Sequence, residues 1–246
     1  SLFSMAFVVF NFLAYGTTPR VGRHVGNGDR EAAGRVVVRA VALALITGVA
    51  ALAVLQAAAV PLLQLMGATG ELLDPALSYL RIRAFAGPAV LLITAGNGAF
   101  RGYQDTRTPM YITIGLNLVN LVLDPLLIFG LGWGLTGAAI ATVIAQWMGA
   151  LAFMILLFRT RSADFHIAWF WPALHTLAPL LRVGRDLIAR TAALVGTMTL
   201  ATAVATRVGV TAVAAHQVAA QLWLFMALIV DALAVAAQAL VAKHLG

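Results

Sequence analysis

MYITIGLNLVNLVLDPLLIFGLGW, residues Met110 to Trp133, carries a single charged side chain, Asp124. A run this long and apolar is a transmembrane helix candidate. A carboxylate at its middle costs roughly 2.5–3.5 kcal/mol on insertion scales, so it must face protein or water, and it marks a functional site by default. Asn117 and Asn120 stand seven and four residues before it. At helical spacing the three share one face. Pro125 follows directly and has no backbone N–H, so the Leu121 carbonyl loses its helical partner. One face then offers a carboxylate, two amides and a carbonyl, which are ligands for a proton or a hard cation.

The rest of the chain has the same character. It is 62% hydrophobic and 10% charged, with a mean hydropathy of +0.95. Soluble domains carry about 25% charged residues. The sequence therefore predicts an all-α polytopic membrane protein. There are no cysteines, which excludes disulfides and cysteine-based metal sites. The net charge of +7 is no nucleic-acid signal, because the basic residues lie between hydrophobic runs.

Seven spans are expected, at roughly 1–18, 40–66, 76–99, 110–131, 135–158, 187–206 and 212–242. The connections are short except 159–186, which is amphipathic, rich in Trp and broken by Pro172 and Pro179. It reads as an interfacial linker between two bundles, 1–158 and 187–246. Arg20, Arg23, Arg30, Arg35 and Arg39 fall after the first span, and Arg101 and Arg107 after the third. Arg159, Arg161, Arg182 and Arg185 lie in the linker. These basic connections are expected in the cytoplasm, in a multi-pass protein of the plasma membrane.

The two ends of the chain resemble each other. NFLAYGTTPRVGRHVG (11–26) and DALAVAAQALVAKHLG (231–246) align with an offset of 220, matching Leu13 with Leu233, His24 with His244 and Gly26 with Gly246. The first span thus pairs with the seventh, which makes a repeat unit of six helices, as in many secondary transporters. On this count the chain is expected to be an internal fragment, about helices 2–8 of 12.

Several motifs resemble the multidrug and toxic compound extrusion (MATE) transporters. They are GTTPRVGRHVGNGDREAAGR (16–35), YLRIRAFAGPAVLL (79–92), GAFRGYQDTRTPMYI (98–112) and NLVNLVLDPLLIFGLGWGLTGAAIATVIAQ (117–146). RDLIART (185–191), AAHQVAAQLW (214–223) and ALIVDALAVAAQALV (227–241) resemble the DNA-damage-inducible branch of that family. The resemblance implies a two-bundle, inverted-V transporter around a central cavity. It implies an antiporter that exports small organic, often cationic compounds in exchange for H⁺ or Na⁺, with no cofactor. Asn120, Asp124 and Thr142 match the family's ion-binding cluster, with a possible Na⁺ at Asp124; the cluster's remaining acid lies on a helix with no match here. Membrane lipid and small organic substrates are the expected partners, nucleic acid is not, and a monomer is expected.

Other polar residues inside the spans are cavity candidates. Asp231 sits in LWLFMALIVDALAVAAQAL, where the cost argument applies again. Arg190 has two readings: a surface pair with Asp186, four residues earlier, or a cavity cation meeting Asp231. Gln217, Gln221 and His216 are further candidates, although a membrane His is more often a bonded helix contact. RGYQDTRTP reads as a tight turn with a ready salt bridge. Gly96, Gly98, Gly132, Gly134 and Gly137 fit close helix approach.

Two other classes are weighed. A lipid-linked saccharide flippase shares the two-bundle architecture, but it should carry several basic residues in its cavity, where only Arg190 is a candidate. An intramembrane enzyme finds no support, since neither HExxH nor GxSxG occurs.

Overall fold

The computed structural model describes residues 12–65, 70, 73–177 and 209–244, and scattered helical positions between 189 and 204. The described residues form helices and connections without a strand. Five helical segments are long and apolar enough to cross a membrane: Arg30–Gln64, Leu73–Gly102, Arg107–Gly130, Gly134–Thr160 and Ala214–Ala242. These correspond to the second, third, fourth, fifth and seventh expected spans. The first is described only from Phe12, and the sixth lies largely outside the described residues.

Helix α1, Phe12–Gly26, continues well past the expected end at residue 18. Pro19 lies inside it. A proline there removes one bond to the carbonyl four residues back, that of Tyr15. That carbonyl accepts instead from Gln238 Nε2, at 3.3 Å. Thr17 bonds back to the Leu13 carbonyl, and Thr18 reaches the Gly98 carbonyl on another helix at 3.2 Å. The arginines beyond Pro19, read as a connection, thus belong to the helix.

Helix α2, Arg30–Leu65, also begins earlier than the apolar run suggests. Asp29 caps it, its Oδ1 accepting from the Ala32 N–H at 2.9 Å. At 36 residues it is about 54 Å long, more than a hydrocarbon core of about 30 Å. Its first turns, with the Glu31–Arg35 pair at 3.0 Å, therefore fall outside that core.

The third span is two helices, α3 (Leu73–Ala84) and α4 (Gly87–Gly102). Pro88 in the first turn of α4 explains the break, because its nitrogen carries no N–H to give to the Ala84 carbonyl four residues back. The Trp147 indole takes up the exposed Phe85 carbonyl at 3.0 Å. Helix α5 spans Arg107–Pro125 and runs into a π-helical turn, Leu126–Gly130. Helix α6, Gly134–Ile155, ends likewise in a π turn, Leu156–Thr160. Helix α7 spans Val210–His244.

Small residues set the packing of these helices, as expected where lipid removes the hydrophobic drive between them. A Cβ on Gly96 would lie 2.7 Å from the Phe153 ring, and one on Gly98 3.0 Å from the Ala14 backbone. A Cβ on Gly137 would lie 2.7 Å from the Leu127 carbonyl oxygen. Gly132 and Gly134 differ from expectation. Nothing lies within 4 Å of them, and their φ values of 68° and 53° show that they make the α5–α6 turn.

The 159–186 linker is docked through its first part. Phe165 is buried and stacks on Tyr103, with ring centroids 3.9 Å apart. The Tyr103 hydroxyl donates to the Phe165 carbonyl at 2.8 Å. Burial pushes the Tyr103 phenol up from its ordinary pKa, so it remains a donor. Residues 178–186 lie outside the described residues.

Candidate functional site

Helix α5 presents its polar face to an open groove of about 500 Å³ lined by Thr113, Asn117, Asn120 and Asp124, with Ile114, Leu118 and Leu121 between them. Asn120 Nδ2 donates to Asp124 Oδ1 at 3.2 Å. Both side chains are half-buried. Asn117 lines the same groove but turns its amide back to the Thr113 carbonyl at 2.7 Å. Thr142, on the helix packed against α5, donates to the Ala138 carbonyl of its own helix at 2.8 Å. That is ordinary threonine behaviour in a helix. The structure therefore bonds Asn120 to Asp124 and leaves the Thr142 hydroxyl on its own backbone. The π turn follows Asp124 and Pro125 immediately, closed by Leu131 N–H to the Leu126 carbonyl at 3.0 Å. Such wide turns concentrate at functional sites.

A second polar cluster joins α1, α4 and α7. The Tyr15 hydroxyl donates to Asp231 Oδ1 at 3.1 Å. Asp231, Asn97 and Arg101 line two adjoining cavities, of about 230 and 630 Å³. Tyr15 and Gln238 line the smaller one. Arg101 corrects the sequence reading. It sits in the last turn of α4 and lines the cavity, where a connection was expected. Asp231 lines both cavities, and among the described residues no ion pair joins it to Arg190. Arg190 is exposed. Gln217 and Gln221 are exposed positions of α7 and line neither of these cavities. His216 is a bonded helix contact, 3.2 Å from the Thr202 hydroxyl.

Sequence reasoning missed Tyr15, Asn97, Arg101 and Gln238. A signal was present in the spacing. Asn97 and Arg101 are four apart, and Asp231 and Gln238 seven, so each pair lies on one helix face.

Beyond the cluster, toward the ends that carry the basic residues, the same helices close tightly. A Cβ on Gly22 would meet the Ala242 Cβ at 3.1 Å, and one on Gly102 would meet the Val21 side chain at 2.5 Å. The turn after α4 adds a bridge. Gln104 Nε2 donates to the Ala239 carbonyl at 2.8 Å, from a backbone with φ of 65°. Asp105 does not make the expected salt bridge there. Its carboxylate caps α5, accepting from the Thr108 N–H at 3.0 Å and the Thr108 hydroxyl at 2.7 Å.

A sequence profile of the MatE family matches residues 1–126. DNA damage-inducible protein F of Escherichia coli is 30% identical over 96% of this chain and 52% of its own length. The chain belongs to the MATE family. Members of this family are membrane transporters and not enzymes. Higher identity is found to Protein DETOXIFICATION 44, chloroplastic, of Arabidopsis thaliana, at 41% over 68% of this chain and 32% of that protein. This MATE chain thus spans between about a third and a half of the length of these relatives.

The solved MATE structures agree. A MATE in the bent conformation superposes with a TM-score of 0.86 at 28% identity, covering 98% of this chain and 54% of that one. An outward-facing multidrug resistance MATE transporter gives 0.84 at 27% identity, over 98% of this chain and 54% of that one. An inward-facing one gives 0.69 at 29% identity, over 81% of this chain and 45% of that one.

Proposed function

We propose that this chain is part of a secondary antiporter that exports organic, often cationic compounds in exchange for H⁺ or Na⁺. The observation that carries the reading is the Asn120–Asp124 pair, set in a groove of a membrane helix just before a π turn. In the proton version, Asp124 takes up H⁺, loses its charge and releases Asn120. In the sodium version, the carboxylate and amide oxygens hold the ion. Either event changes the local free energy by a few kcal/mol, enough to shift a two-state equilibrium. The π turn is the element placed to respond, because its backbone bonds are already displaced from α-helical register. Asn117 lines the same groove and joins the site by turning its amide away from the Thr113 carbonyl; Thr142 is the ligand proposed from the neighbouring helix.

The second cluster supplies the substrate path. The tight crossing of α1 and α7 closes the cavity on the side of the basic connections. With those connections in the cytoplasm, the chain is outward-facing. The better superposition on the outward-facing relative supports this. Gly22 and Ala242 are also repeat-equivalent positions, 220 residues apart. Contact between equivalent positions is what a two-fold axis between paired elements produces. It supports a division into an N-terminal bundle (1–158), a linker (159–186) and the start of a second bundle (187–246). The reading extends to a monomer in the plasma membrane. The test is efflux from vesicles under an imposed pH or Na⁺ gradient: the wild-type transporter should respond to one of them, and the Asp124→Asn variant to neither.

A further inference from the structure

Arg101 and Asp231 line the same two cavities, yet no ion pair joins them; among the described residues the ion pair is Arg35–Glu31. Charges within a membrane protein are expensive unless partnered. Asp231 uses Oδ1 to accept from the Tyr15 hydroxyl and lines both cavities. The larger cavity adds an apolar wall of Met110, Ile114 and Leu228. A purely cationic guest would satisfy Asp231 and be repelled by Arg101. A purely anionic guest would meet the reverse. We propose that this site binds an organic zwitterion, with its carboxylate on Arg101, its protonated amine on Asp231 and its apolar body along Met110 and Leu228.

The inference rests on the transporter reading above and gives its substrate a charge class. Asn97 and Gln238 provide neutral hydrogen-bonding groups at the polar end. The site spans α1, α4, α5 and α7, so a bound zwitterion ties together helices of the two proposed bundles. That differs from a guest held by one bundle alone, which leaves the crossing unaffected.

The test is equilibrium binding to the full transporter in lipid nanodiscs, with no ion gradient, so loss of ion coupling does not affect the reading. The probes are Nε-dansyl-lysine, a zwitterion whose fluorescence reports apolar burial, its methyl ester, a cation, and its Nα-acetyl derivative, an anion. The zwitterion should bind tightest. Arg101→Gln should weaken the zwitterion and the acetyl derivative by about tenfold while sparing the ester, as expected for one lost charge-assisted contact. Asp231→Asn should weaken the zwitterion and the ester while sparing the acetyl derivative. A variant that merely folds poorly would lower all three together, so the ratios carry the answer. Equal affinity for the three probes, no binding, or proportional loss across all three in both variants overturns the site.

Discussion

Asp124 and Asn120 are bonded through one oxygen and one amide, and the two residues should respond differently to substitution. Asp124→Asn removes the titratable group that lines the groove among the described residues and should abolish gradient-driven efflux at normal expression. Asn120→Ala removes a hydrogen bond to a charged group, and such bonds contribute about 1.5–3 kcal/mol. Ion dependence should weaken by roughly tenfold or more while transport persists. Vesicle efflux against external pH or Na⁺ measures both, and wild-type rates in the Asp124→Asn protein would refute the coupling role. This pair was legible in the sequence because a lone carboxylate in an apolar run is costly, and the cost forces a partner. Tyr15 was not legible. Its hydroxyl incurs little penalty until burial, so nothing local distinguishes it from a lipid-facing tyrosine. Its partner Asp231 lies 216 positions away. Arg101 was misread because a charge at a helix end looks like a connection, and only the fold turns it inward.

At the scale of elements, the apolar runs located the membrane helices, but their ends were set by chemistry that hydropathy does not register. Helix α1 outlasts Pro19 because Gln238 occupies the carbonyl that the proline vacates. Helix α2 starts at an aspartate cap ten residues before its expected start. The π turn after Pro125 follows the same logic of displaced backbone bonds. Pro125→Ala restores an N–H to the Leu121 carbonyl and should let α5 continue in α-helical register. Deuterium uptake by the Leu126–Gly130 amides should then fall, and the ion-dependent change in that uptake should vanish. Gly137 packs against the same turn. Gly137→Val places atoms where the Leu127 carbonyl sits, 2.7 Å from the new Cβ. Overpacking of this kind costs about 1–3 kcal/mol, so the variant should melt several degrees lower, while Gly132→Asn, at an open left-handed turn position, should melt close to wild type.

At the scale of the molecule, these 246 residues contain no cysteine, so one engineered pair, with any cysteine elsewhere in the transporter replaced, reports closure. In Gly22→Cys/Ala242→Cys the two Cβ atoms would start about 3.1 Å apart, within a few tenths of an ångström of the roughly 3.5–4.5 Å that a disulfide requires. Oxidation should cross-link the pair and stop efflux, and reduction should restore it. Failure to cross-link in any condition would mean that the crossing does not form in the membrane. The same contact has a mechanical consequence. It lies near one end of both helices, 2 residues short of the last residue of α7 and 4 short of that of α1. It therefore acts as a pivot with short arms on one side and long arms on the other. The long arm of α7, from Ala242 to Val210, is roughly 50 Å at 1.5 Å per residue. A swing of only about 10° would carry its far end through roughly 8 Å, while the pivot itself moves hardly at all. A few tenths of an ångström of compliance at one glycine would then be amplified into the opening of a passage.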